Sequence, residues 1–207
     1  MVTWKIDRNV FHIFFNTSVE VLSTSINGTG IDTVQEIQNI TVPKDFKLTS
    51  EEFLQSYAPE NTLLFLTAVS IDNTVHLKGK LAEVFLTCGY SNATTPMKKD
   101  NKIGTVNIFI NSFSGLTIAG AINLVMVATE AKTLAFMDFK IKDETGNTAT
   151  GTGTDAIAVF PVSKIGEKYT GLHTDLGKEV GALVYSACIE SMHGSGIVNY
   201  SDNYLYF

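Results

Sequence analysis

Short apolar runs open the chain, first Trp4 and Ile6, then residues 11–15, then residues 19–22. Alternate residues of an extended segment share a face, so these runs predict strands joined by tight turns at 6–9 and 16–18. A loop rich in Ser, Thr, Asn and Gly follows over 23–30, and the pattern over 31–42 fits strand and helix equally. Thr49-Ser50-Glu51-Glu52 is a capping box and predicts a short helix from Ser50 to about Tyr57, closed by Pro59. Residues 63–71, 81–88 and 103–110 are apolar and rich in β-branched and aromatic side chains, which predicts three core strands.

Ser114 is expected to cap a helix over 116–139 whose first half is apolar nearly all round, the mark of a buried central helix. A Gly/Thr loop over 145–154 then leads into a strand at 156–161. Thr174 is expected to cap a last helix from 175 to about 192, and the aromatic tail 200–207 is an ordered edge or a homodimer contact. These elements add up to one α+β domain over 1–207. Its core is a mixed, mostly antiparallel sheet with two long helices packed on it.

Composition narrows the function classes. Hydrophobic residues make up 44% of the 207 and charged ones 17%, enough to build a core without metal or disulfide staples. Net charge is −6 and the only basic cluster is Lys98-Lys99, which argues against a nucleic-acid partner. Arg8 is the single arginine, so no bidentate arginine clamp for phosphate is expected. Two cysteines make no disulfide framework, and the N-terminal residues carry no leader-like apolar run, so the expected location is cytoplasmic. The longest apolar stretch, 116–128, is interrupted by Asn123 and reads as too short to span a membrane.

The most specific local pattern is Thr150-Gly151-Thr152-Gly153-Thr154-Asp155. Its glycines let backbone approach a ligand, its hydroxyls can donate or accept, and Asp155 sits where loop meets strand. The plainer reading is a turn whose amides Asp155 ties down. Four more motifs accompany it: Leu22 to Gly28 (LSTSING), Thr87 to Ala93 (TCGYSNA), Gly104 to Ile108 (GTVNI), and Ala128 to Lys132 (ATEAK). In this order and spacing, the set resembles the adenosylcobinamide amidohydrolases of corrinoid salvage, over roughly residues 21–190. Thr24 and Thr29, where the family pattern has serine and glycine, and Cys88, where it has a small residue, are departures.

The resemblance implies hydrolysis of the amide between a corrin propionate arm and 1-amino-2-propanol, giving adenosylcobyric acid for coenzyme B12 synthesis. Cobalt would enter only as part of the corrinoid substrate. Alternatives are a non-catalytic corrinoid-binding protein and an amidohydrolase for a related amide. Amide hydrolysis needs an activated nucleophile, an oxyanion stabiliser and an acid for the leaving amine. Catalytic candidates are Glu130, Asp155 and Lys132, and a nucleophile at Thr152, Thr154 or Ser91 is an open alternative that lacks a histidine in a matching motif. On a helix Glu130 has mostly apolar neighbours, so it is expected to be desolvated with a raised pKa or else paired. Lys132 also needs a partner or a route to solvent, and Asp155 is either its natural partner or a second carboxylate beside Glu130. Candidate substrate-binding residues are Asn27, Gly28, Ser91, Asn92, Thr105, Asn107, Gly151, Thr152, Gly153 and Thr154. The four histidines show no metal-ligand spacing and no zinc site is expected, although magnesium on Glu130 and Asp155 is compatible with the residues. Cys88 and Cys188 read as core residues.

Overall fold

The computed structural model describes residues 2–97, 105–194 and 199–201. The Lys98-Lys99 pair, residues 103–104 of an expected strand, and 202–207 of the aromatic tail lie outside the described residues. Along the chain run β1 (Val2–Asp7), β2 (Val10–Ser23), β3 (Ile31–Thr41), α1 (Ser50–Ser56), β4 (Thr62–Thr67), β5 (Val75–Lys78), β6 (Ala82–Cys88) and β7 (Ala93–Thr94). After these come β8 (Val106–Leu116), α2 (Ile118–Asp138), β9 (Gly151–Thr152), β10 (Ala156–Val162), α3 (Asp175–His193) and β11 (Asn199–Ser201).

Among the described residues, nine strands form one sheet in the order β11-β5-β6-β8-β10-β2-β3-β4, with β1 beside the first half of β2. β10 lies parallel to β8, β3 to β4 and β11 to β5, and the other pairings are antiparallel. The expected α+β class, mixed sheet and two long helices are therefore present. The chain passes from β8 through α2 to its parallel neighbour β10, a crossover that a parallel pair requires.

Strand alternation sorts the core into two layers. Val84, Leu86, Ile108 and Ile110 face α2 and α3. Phe85 and Phe109, one residue out of phase, face the other way and meet Phe11, Ile13, Ile37 and Phe65. Phe11 packs on Phe85 at 5.5 Å between ring centroids, and Phe65 on Phe109 at 4.9 Å, although their strands are not ladder neighbours. The N-terminal strands thus curl back over the centre of the sheet, and helices cover its opposite face.

Several local expectations are corrected. Residues 16–18 are not a turn: β2 runs through them, with a register shift against β3 between Phe14 and Val19. Such a bulge lets one strand keep partners on both sides while bending. The ambiguous segment 31–42 is strand because its partners β2 and β4 supply ladders on both edges. The long helix starts later than expected. β8 continues to Leu116, and Thr117 is the cap, its hydroxyl accepting from the Gly120 amide at 3.2 Å. The capping box at Thr49 and the cap at Thr174 form as expected.

The largest correction concerns α2. It is not buried all round: Ile118, Ile122, Met126, Leu134 and Met137 are each about half exposed, because the sheet and α3 cover only its inner side. The helix is also longer than the apolar stretch weighed from sequence. Its 21 residues meet the length and hydropathy of a membrane span, with 44% of that window buried inside this fold.

Candidate active site

All five motifs reach one end of the sheet, where β8 and β10 begin and β2 and β6 finish. Asp155, at the foot of β10, is the hub. Its Oδ1 accepts from the Val106 amide at 3.0 Å and the Thr152 hydroxyl at 2.6 Å. Its Oδ2 accepts from the Thr152 amide at 3.1 Å and pairs closely with Lys132 Nζ. Four donors fill the lone-pair directions of a carboxylate. Asp155 therefore holds the Gly/Thr loop, the start of β8 and α2 together, and keeps no acceptor site to take a proton from water or to bind a metal.

Lys132 is 9% exposed and turned inward from α2, so its expected pairing with Asp155 is present. Gly151 explains why the loop carries glycine here: a Cβ at this position would meet Asp155 Oδ2 and, at 2.6 Å, Lys132 Nζ. The loop is fastened on every side. Thr150 donates its amide to the Thr94 carbonyl at 3.0 Å, and β9 pairs with β7, placing Gly151 opposite Thr94 and Thr152 opposite Ala93. Thr105 and Thr154 share a hydroxyl hydrogen bond at 2.9 Å. The Gly89 amide donates to the Thr105 carbonyl at 3.0 Å. Thr24 bridges from the first motif, giving its amide to the Ile157 carbonyl and accepting from the Ile157 amide, both at 3.1 Å. Ser91, Gly153 and Thr154 are exposed at the rim, with Asn92 partly so.

Three predicted site residues have other duties. Asn27 donates to the Thr62 carbonyl at 2.7 Å and accepts from the Leu64 amide at 2.8 Å, acting as an extra strand residue along β4. Asn107 is fully buried, its amide donating to Asn39 Oδ1 at 2.7 Å and the Leu66 carbonyl at 3.0 Å. Neither amide is available to an oxyanion. Gly28 is a packing glycine, since a Cβ there would meet Ser25, Asp32 and Leu63.

Glu130 is corrected most. It is exposed and its side chain makes no hydrogen bond or ion pair among the described residues, so it is not desolvated. Two residues along a helix turn it about 200° from Lys132. It cannot share an ion or a water with the filled carboxylate of Asp155, so the two do not form a magnesium site. It is still close to the loop: Thr133, one turn further on and on a neighbouring face, donates its hydroxyl to the Thr150 carbonyl at 3.3 Å. Glu130 thus stands outside the rim that Asp155 anchors from within.

Among the described residues no three His, Cys, Asp or Glu side chains gather as metal ligands. A hydrogen bond with Cys188, together with burial, pushes the Cys88 thiol well above its usual range, as suits a core residue. Thr24, Thr133 and Thr94 escaped the sequence reading as site residues, because each acts through a partner far away in the chain.

A sequence model of the family described as adenosylcobinamide amidohydrolase matches residues 3–197, which include every residue of this cluster. An adenosylcobinamide amidohydrolase of Methanosarcina mazei is similar, 32% identical over 177 residues, 78% of this chain and 84% of that protein. The chain belongs to the adenosylcobinamide amidohydrolase family. An uncharacterized protein of Methanocaldococcus jannaschii is 31% identical over 168 residues, 78% of this chain but 61% of that longer protein. No solved structure matches the chain. For this amidohydrolase family, the sheet end around Asp155 is therefore the candidate active site.

Proposed function

We propose that this chain hydrolyses the aminopropanol amide of adenosylcobinamide, releasing 1-amino-2-propanol and adenosylcobyric acid for re-use in coenzyme B12 synthesis. The observation that carries the proposal is the convergence of five separated motifs on one loop, held by Asp155 and Lys132. The family match and the Methanosarcina mazei relative support the substrate. Cobalt comes with the substrate, and the two buried free thiols suit a cytoplasmic enzyme.

The roles follow from the geometry. Asp155 is a positioning residue, since its acceptor sites are spent on the loop. Lys132 supplies a positive charge beneath the loop, where it favours charge developing on a nearby carbonyl oxygen. Glu130 is a carboxylate beside the rim that has no side-chain partner among the described residues, and it moves the proton between water and the leaving amine. The hydroxyls of Ser91, Thr152 and Thr154 and the Asn92 amide orient the amide arm.

Incubation with adenosylcobinamide, with 1-amino-2-propanol measured by chromatography, tests this. Wild type should release amine. Glu130→Gln should lower turnover by about 100-fold or more, within the range of general acid–base catalysis. Tight corrinoid binding without any amine would make the chain a binding protein instead.

A further inference from the structure

The outward face of α2 has no partner among the described residues, yet it is built of large apolar side chains. Met126 is 56% exposed, Met137 51% and Leu134 50%. On a helical projection these surround Glu130, with Met126 and Leu134 one turn to either side and Met137 two turns along. The face is continuous with the candidate site, because Thr133 ties it to the Thr150 carbonyl at the loop rim. A free carboxylate in the middle of an apolar platform, beside a polar lip, is a specific combination. It suits a flat apolar ring fringed by amide N–H donors.

We infer that this face of α2, from Met126 to Met137, is the seat of the corrin ring. The inference rests on the function proposed above. The eleven helical steps from Met126 to Met137 span about 16 Å, a platform wide enough for a macrocycle together with its side chains. The apolar ring plane covers the methionines and Leu134, whose flexible and branched side chains adapt to an irregular surface. With the ring there, an amide arm reaches over Glu130 toward the hydroxyl-lined rim, so one placement serves both the ring and the scissile bond. It also explains why the helix carries apolar residues outward at all: exposed apolar patches mark binding surfaces.

The test is a visible-absorbance titration of the full chain with adenosylcobinamide, comparing wild type with Met126→Glu/Met137→Glu. Wild type should bind, while the double variant binds at least about tenfold more weakly. Met126→Gln/Met137→Gln, polar but uncharged, should fall between them, and it keeps the test valid if the charged pair perturbs folding. Unchanged corrinoid affinity in both double variants overturns the inference and leaves the proposed function standing. If wild type binds no corrinoid, the proposed function fails first and the inference with it. If these substitutions instead convert a dimer to a monomer with affinity unchanged, the face is a contact between copies and the inference is wrong.

Discussion

Two carboxylates, Asp155 and Glu83, sit in partly buried polar clusters at opposite ends of the same strands, and they differ in what surrounds them. Glu83 pairs with His76 at 2.9 Å and accepts from the Asn111 amide at 2.7 Å. His76 stacks on Phe85 at 4.2 Å, and Trp4 closes over both rings. That cluster is roofed by aromatic side chains. The donors around Asp155 are instead mostly loop amides and hydroxyls, next to an exposed rim. A well-satisfied carboxylate is therefore no sign of a site by itself. The sign is glycine-bearing backbone and exposed hydroxyls gathered around it.

The largest effect should come from breaking the open cluster. Asp155→Ala removes four acceptor contacts at once and should abolish amine release. Hydrogen exchange should show the amides of 150–155 losing protection while the strand amides keep theirs. Gly151→Ala is subtler: its methyl displaces Asp155 and Lys132 and should cost about 100-fold in turnover, the scale of a 1 Å misplacement, with the thermal midpoint little changed. If G151A is fully active, the close approach at this glycine has no catalytic importance.

The closed cluster should respond in the opposite way. Glu83→Gln should destabilise the fold by about 1–3 kcal/mol in denaturant titration, with turnover per folded molecule within about twofold of wild type. Burial raises the affinity of Glu83 for a proton, but hydrogen bonds from His76 and Asn111 outweigh it and hold the carboxyl below its usual range. A group depressed in the folded state contributes stability above its unfolded pKa and loses it as pH falls through the folded value. Wild type should therefore lose stability more steeply than E83Q below the ordinary carboxylate range. The smallest effect belongs to Thr24→Val, which removes one bridge to Ile157 and should lower turnover a few-fold.

What could be read from sequence followed physical range. Caps at Thr49 and Thr174 are local chemistry, and both form. The pairing of Lys132 with Asp155 was only half legible: a cation in apolar surroundings needs an anion or a route to solvent, but sequence alone left Asp155 equally able to stand beside Glu130. The outward turn of Glu130 was not legible, since α2 is apolar on both faces and amphipathicity cannot then say which side meets the sheet. Asn27 and Asn107 read as substrate-binding residues because their partners, Thr62, Leu64, Asn39 and Leu66, are supplied only when distant strands come together. The continuity of β2 through 16–18 likewise depends on neighbours on both edges rather than on its own residues.

Apart from the bonds of Thr152 to Asp155 within the loop, the stitches that hold this site join residues far apart in sequence: Thr24 to Ile157, Thr94 to Thr150, Thr105 to Thr154, Lys132 to Asp155. Contacts of such high order close late in folding, after the intervening chain has paid its entropy. The assembled loop is consequently a readout of complete folding, and catalysis should return in step with the slowest refolding phase rather than with early collapse.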